Sequence, residues 1–134
     1  MVSEINKQIN QYLIERRESL LPHMSWHDEK QFLSHIRYGQ IKQLSFYLQK
    51  PLSPPQTLLC SIDLLHHHLY SFVIASALFA RAAIEGGVPD DIAFAMEDSY
   101  IKAAERCHTE NDCFILYKEM LYDFTNTVIK YKKD

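Results

Sequence analysis

Between Leu69 and Ala80 the chain carries no charge, and apolar residues recur at helical spacing through and around that run: Leu58, Ile62, Leu65, Leu69, Phe72, Val73, Ala77, Ala80 and Ile84. A helix that is apolar all round is a buried helix. The uncharged run falls well short of the ~20 residues a membrane span requires, so neighbouring helices, not lipid, are expected to cover it. Ser53-Pro54 reads as the start, because a serine oxygen accepts from free helical N–H groups and proline loses nothing at the first helical position. Gly86-Gly87 reads as the stop, with Gly86 taking the left-handed conformation that glycine reaches without steric cost. The expectation is a long central helix over about 54–85.

Beyond the stop, Pro89 suits the first turn of a new helix, and Asp90 and Asp91 set negative charge at its positive end. Arg81 is the one positive charge in this apolar region. It stands four residues before Glu85, so the two can pair along the helix. If the chain turns back at the glycines, Asp98 also comes within reach. A buried arginine has to be paired, which makes Arg81 a structural clamp to Glu85 or Asp98. A contact to an anion or ligand is the other role open to it.

The rest of the chain reads as helices of the same bundle. A first helix spans Ser3 to about Leu20, with Ile5, Ile9, Tyr12 and Leu13 as its stripe and Pro22 just past it. Ser25, with Asp28 three residues on, resembles a capping box, and Trp26, Phe32, Leu33 and Ile36 supply the apolar face of a second helix that Gly39 ends. A short third helix carries Ile41, Leu44 and Phe46 to Leu48. The last helix is capped by Thr109 with Asp112. Its apolar residues, Phe114, Tyr117, Leu121, Phe124, Val128 and Tyr131, step by three and four, the seam of a helix packed lengthwise on another. No run alternates over strand length. The fold class is all-α: a single-domain bundle of about six helices around the central one.

The totals limit what such a bundle does. At 134 residues it is one domain, long enough to bury a core without disulfides or metal. A net charge of −3 and a pI near 6.1 argue against a nucleic-acid-binding surface in this segment. Cys60, Cys107 and Cys113, an odd number without paired spacing, read as reduced core thiols of a cytoplasmic protein. The N-terminus lacks the apolar stretch of a signal peptide.

Candidate chemistry is sparse. His66, His67 and His68 point about 100° apart on a helix and cannot share one small ion. His23 and His27 have a zinc-like spacing, but a cap at Ser25 separates them. Cys107, at a helix C-terminus, sits where the dipole disfavours a thiolate, so Cys107-His108 reads as no activated nucleophile. No phosphate loop, dinucleotide turn or nucleophile elbow is present. Neither an enzyme nor a metal or other cofactor is expected. Tyr70, Tyr100 and Tyr117 are candidates to line a small-molecule pocket, each with an apolar ring and a polar tip, although tyrosines of a packed core look the same.

Three stretches together resemble a known family. Arg81-Ala-Ala-Ile-Glu85-Gly86-Gly87, followed by Pro-Asp-Asp-Ile-Ala-Phe-Ala and then Asp98-Ser-Tyr100-Ile, is similar to a signature of the helical N-terminal domain of AraC-type transcriptional regulators from Gram-positive bacteria. Tyr117-Lys-Glu-Met-Leu121-Tyr-Asp-Phe124 looks like the closing helix of that domain, and Glu29-Lys-Gln-Phe-Leu-Ser-His-Ile-Arg-Tyr-Gly39 like an upstream helix. The resemblance runs in order over most of the chain from Trp26 onward. It implies a signal-sensing or dimerising domain, 1–134, ahead of a helix-turn-helix DNA-binding domain that would begin beyond 134. DNA would be met only through that domain, and the signal would be a small molecule or a protein. The seam Tyr117, Leu121, Phe124, Val128 is the expected homodimer contact, since it leads directly towards the DNA reader. A stand-alone helical protein-interaction module is the alternative.

Overall fold

The computed structural model describes residues 1–18, 25–49 and 63–132. Among them are six helices and no strand: α1 Val2–Glu18, α2 Trp26–Arg37, α3 Ile41–Leu48, α4 Leu64–Glu85, α5 Asp90–Ala104 and α6 Glu110–Lys132. The all-α bundle is as the sequence reads. The central helix, however, starts at Leu64 and not near residue 54. Asp63 is its N-cap, in extended backbone, and its Oδ1 accepts from the His66 amide at 2.8 Å. The expected start at Ser53-Pro54 lies outside the described residues.

Side-chain caps begin three of these helices. Ser25 Oγ accepts from Asp28 N at 3.1 Å. Thr109 Oγ1 accepts from Asp112 N at 3.0 Å while Asp112 reaches back to the His108 amide at 3.3 Å, so free N–H groups are satisfied on both sides of the cap. Two helix ends are built alike. At the end of α2, Gly39 has φ 68°, with Gly39 N on Ile36 O and Gln40 N on His35 O. At the end of α4, Gly87 has φ 111°, with Gly87 N on Ile84 O and Val88 N on Ala83 O. Both are Schellman caps, in which glycine takes the left-handed position just past the helix.

α4 packs on α2, α5 and α6; α6 also packs on α2, α3 and α5. Phe72, Phe79, Ala80 and Ala83 of α4 are buried with Ile36, Leu44, Val88, Ala93, Met120, Leu121, Phe124 and Val128. Burying one such large side chain stabilises the fold by about 1.5–3 kcal/mol. Alanines at 80, 83, 93 and 104 keep the contact faces of α4 and α5 small. Phe79 sits among Phe32, Tyr117 and Phe124 at ring distances of 5.9, 5.7 and 6.4 Å. The buried hydroxyls of Ser76 and Thr125 are satisfied by Val73 O and Leu121 O in their own helices. By length and composition α4 alone among the described helices could cross a membrane, and 33 % of that stretch is buried inside the protein; one side of it packs on α2, α5 and α6.

Two expectations do not hold. Trp26 is not on the buried face of α2: it is 70 % exposed, with the Lys30 ammonium over its ring. And α1 packs on none of the other described helices, so its stripe Ile5, Ile9, Tyr12, Leu13 faces outward.

Candidate functional site

The three stretches that carry the family resemblance are joined to one another in space. The ends of α2 and α4 meet at Gly86. A Cβ built on Gly86 would stand 2.4 Å from the Arg37 carbonyl oxygen and 2.9 Å from Val128 Cγ1, so main chain and α6 both close on this glycine. A Cβ on Gly39 would stand 2.7 Å from Ile129 Cγ1. The carboxyl ends of α2, α4 and α6 thus share one joint, built on Gly39, Gly86 and Gly87. Its polar rim is the ion pair of Arg37 with Glu85 at 3.6 Å, beside Tyr38, which has the Arg37 guanidinium 5.3 Å and the Lys132 ammonium 5.0 Å from its ring centre.

Gly86 itself has φ −81° and is not left-handed; Gly87 is. The two glycines divide the work, one giving room for a close approach and the other the turn.

Arg81 does not clamp Glu85 or Asp98. Its guanidinium donates to Glu97 Oε1 at 2.7 Å and to its own helix at Ala77 O at 3.1 Å, and lies 5.2 Å from the centre of the Phe94 ring. The geometry of α5 explains the partner. Ala93, Glu97, Tyr100 and Ala104 repeat at helical spacing on the face turned to the bundle, and Asp98 is one step, about 100°, round from it and exposed. Nor is Arg81 buried: its side chain is 55 % exposed, while Glu97 is only 14 % exposed.

The tyrosines separate in the same way. Tyr100 packs on Phe124 at 6.2 Å and its hydroxyl donates to Asp123 Oδ2 at 2.6 Å, which ties α5 to α6. Burial, then this hydrogen bond, raises its phenol above the usual value. Tyr117 lies against Phe79, its phenol pushed up to about 12 by burial. Tyr70 is exposed at the far end of α4, beside the His66 ring. The three do not converge on one pocket. The seam of α6 is also not a free surface: Leu121, Phe124 and Val128 are fully buried and Tyr117 largely so, all within one chain. A dimer contact there would require the core to open.

Of the histidines, His66 pairs with Asp63 through Nδ1 at 2.8 Å. That contact and the backbone hydrogen bond from His66, the larger effect, lower the Asp63 carboxyl. Burial and the adjacent His68 lower His67. No three His, Cys, Asp or Glu side chains among the described residues are grouped to hold a metal. His23 and Cys60 lie outside the described residues. Cys113 is buried, its thiol pushed up to about 11 by burial and by the neighbouring Cys107.

The partners of the motif residues are not legible in the sequence. Glu97 for Arg81, Arg37 for Glu85 and Asp123 for Tyr100 all depend on how one helix is rotated against the next. The one local signal was the matched pair of glycine stops at Gly39 and Gly86-Gly87. The chain matches no protein-family model, no curated protein and no solved structure.

Proposed function

We propose that this chain is the N-terminal regulatory domain of an AraC-type transcription regulator of the cytoplasm, which dimerises, responds to a small-molecule or protein signal and acts on DNA through a helix-turn-helix domain beyond residue 134. The observation that carries this reading is the interlocking of its three motif stretches. The Arg81–Gly87 stretch meets the Glu29–Gly39 stretch through Gly86 and Arg37, and Tyr100 of the same signature bonds Asp123 of the closing-helix stretch. Residues that are alike to a family pattern in three separate places, and that prove to be one another's partners, support a common architecture. In this reading the joint passes a change in α4 or α5 to α6, which leads to the DNA reader.

The test is the complete gene product. The reading frame is followed past Asp134, and the encoded protein and the chain 1–134 are compared for binding to the DNA upstream of the gene. The expected result is a basic helix-turn-helix segment after Asp134, site-specific binding by the longer protein and none by 1–134. A reading frame that closes near Asp134 would overturn the proposal. It would favour the second reading, a stand-alone protein-interaction module, for which the outward apolar face of α1 is the supporting observation.

A further inference from the structure

Among the described residues two apolar faces are covered by no other described helix, and they match. On α1, Ile5, Ile9 and Tyr12 are exposed in steps of four and three, and no other described helix touches them. On α4, the side turned away from α2, α5 and α6 carries Tyr70, Val73 and Ile74, all exposed, and Ala77. Read from its carboxyl end, Ala77, Val73, Tyr70 is again a step of four and a step of three. Helices with that spacing interdigitate lengthwise. In an antiparallel arrangement Ile5 falls opposite the small Ala77, Ile9 opposite Val73 and Ile74, and Tyr12 opposite Tyr70. The same register sets Glu4 of α1 opposite Leu78, three residues short of Arg81, which already donates to Glu97.

We infer that two copies of this chain pair by reciprocal exchange, the apolar face of each α1 lying along the outward stripe of the other copy's α4. Within one copy α1 touches none of the other described helices, so a second copy can cover both faces at once. The area decides for exchange over a single docking. A helix of 17 residues is about 26 Å long and roughly 10 Å wide. One docked helix therefore removes about 260 Å² from each side. Two exchanged helices remove about 1,000 Å² in all, the lower limit for a specific interface, and the two-fold arrangement closes on itself. The inference deepens the dimer part of the proposed function and rests on that reading only for its regulatory meaning.

The experiment is sedimentation equilibrium on the chain 1–134, on Ile9→Glu, on Ile74→Lys and on an equimolar mixture of the two variants, with thermal melting of each. Ile9 and Ile74 are 50 % and 53 % exposed, so both variants should fold and melt as the wild type does at concentrations where it is monomeric. The wild type should be a dimer. Each variant alone should weaken dimerisation at least tenfold. The mixture should regain it, because a mixed pair holds one unaltered exchange and one Glu–Lys pair. A wild type that stays monomeric at every concentration overturns the inference. So does a dimer that ignores Ile74→Lys, which would place the contact between two α1 helices. An Ile9→Glu variant that is monomeric with a lowered melting temperature, beside a monomeric wild type, would show α1 docked on its own α4. None of these outcomes touches DNA binding by the longer protein, so the regulator reading stands or falls separately.

Discussion

Gly86 and Gly87 are adjacent and alike in the sequence, and their substitutions should fail for different reasons. At Gly87 a side chain meets no atom within 4 Å, but φ 111° is strained for any L-residue, and Gly87→Ala should cost about 1–2 kcal/mol. At Gly86 the backbone angles are ordinary, and the obstacle is Arg37 O with Val128. Gly86→Ala should cost about 2–3 kcal/mol, as overpacking does, and should loosen α2 and α6 together. Urea denaturation of both variants, with hydrogen exchange on α2 and α6, checks the size and the difference. For Arg81 the sequence suggests a buried clamp and a large penalty on removal. More than half of that side chain is in water but Glu97 is only 14 % exposed, so Arg81→Ala should cost about 1–3 kcal/mol, chiefly by leaving the Glu97 carboxylate unpaired. A double-mutant cycle with Glu97→Gln should give a coupling in the same range.

The helices were legible where local chemistry announces them. Ser25 and Thr109 mark starts, Gly39 and Gly87 mark stops, and the three-four spacing marks faces. The start of the central helix was less legible: Asp63 is its cap, since its carboxylate accepts from the His66 amide. The seam of α6 shows a different limit. Periodicity reveals that Leu121, Phe124 and Val128 face a helix, but not whether that helix belongs to the same chain. Here it does, so Phe124→Ala should destabilise the monomer by about 3–5 kcal/mol, read as a fall in the urea midpoint that is independent of protein concentration. A fall that depends on concentration would instead put Phe124 in a subunit contact. The candidate site was less legible than the helices. Its residues can be picked out from the motifs, but Arg37, Glu97 and Asp123 become partners only once α2, α5 and α6 have found their rotations about α4.

The molecule as a whole carries an alkaline weakness. Tyr117 and Tyr100 are protonated in the fold with raised phenols. In the unfolded chain a phenol titrates near ~10. The unfolded state therefore loses these protons first, so the stability they contribute is complete below about pH 10 and is lost as pH rises towards about 12. The melting temperature should drop over that window, and Tyr117→Phe should flatten the drop. The circular-dichroism signal at 222 nm, followed against temperature from pH 8 to 12, measures both.

The crowding at Gly86 has an evolutionary corollary. One of its two obstacles, Val128, is a side chain that mutation can trim. The other, Arg37 O, is main chain and belongs to whatever residue occupies position 37. No second-site change can delete a carbonyl. A chain that acquires a methyl group at 86 can therefore relieve only part of the collision, and the full repair is reversion. Position 86 is closed to drift in a way that Gly87, with open space around it, is not.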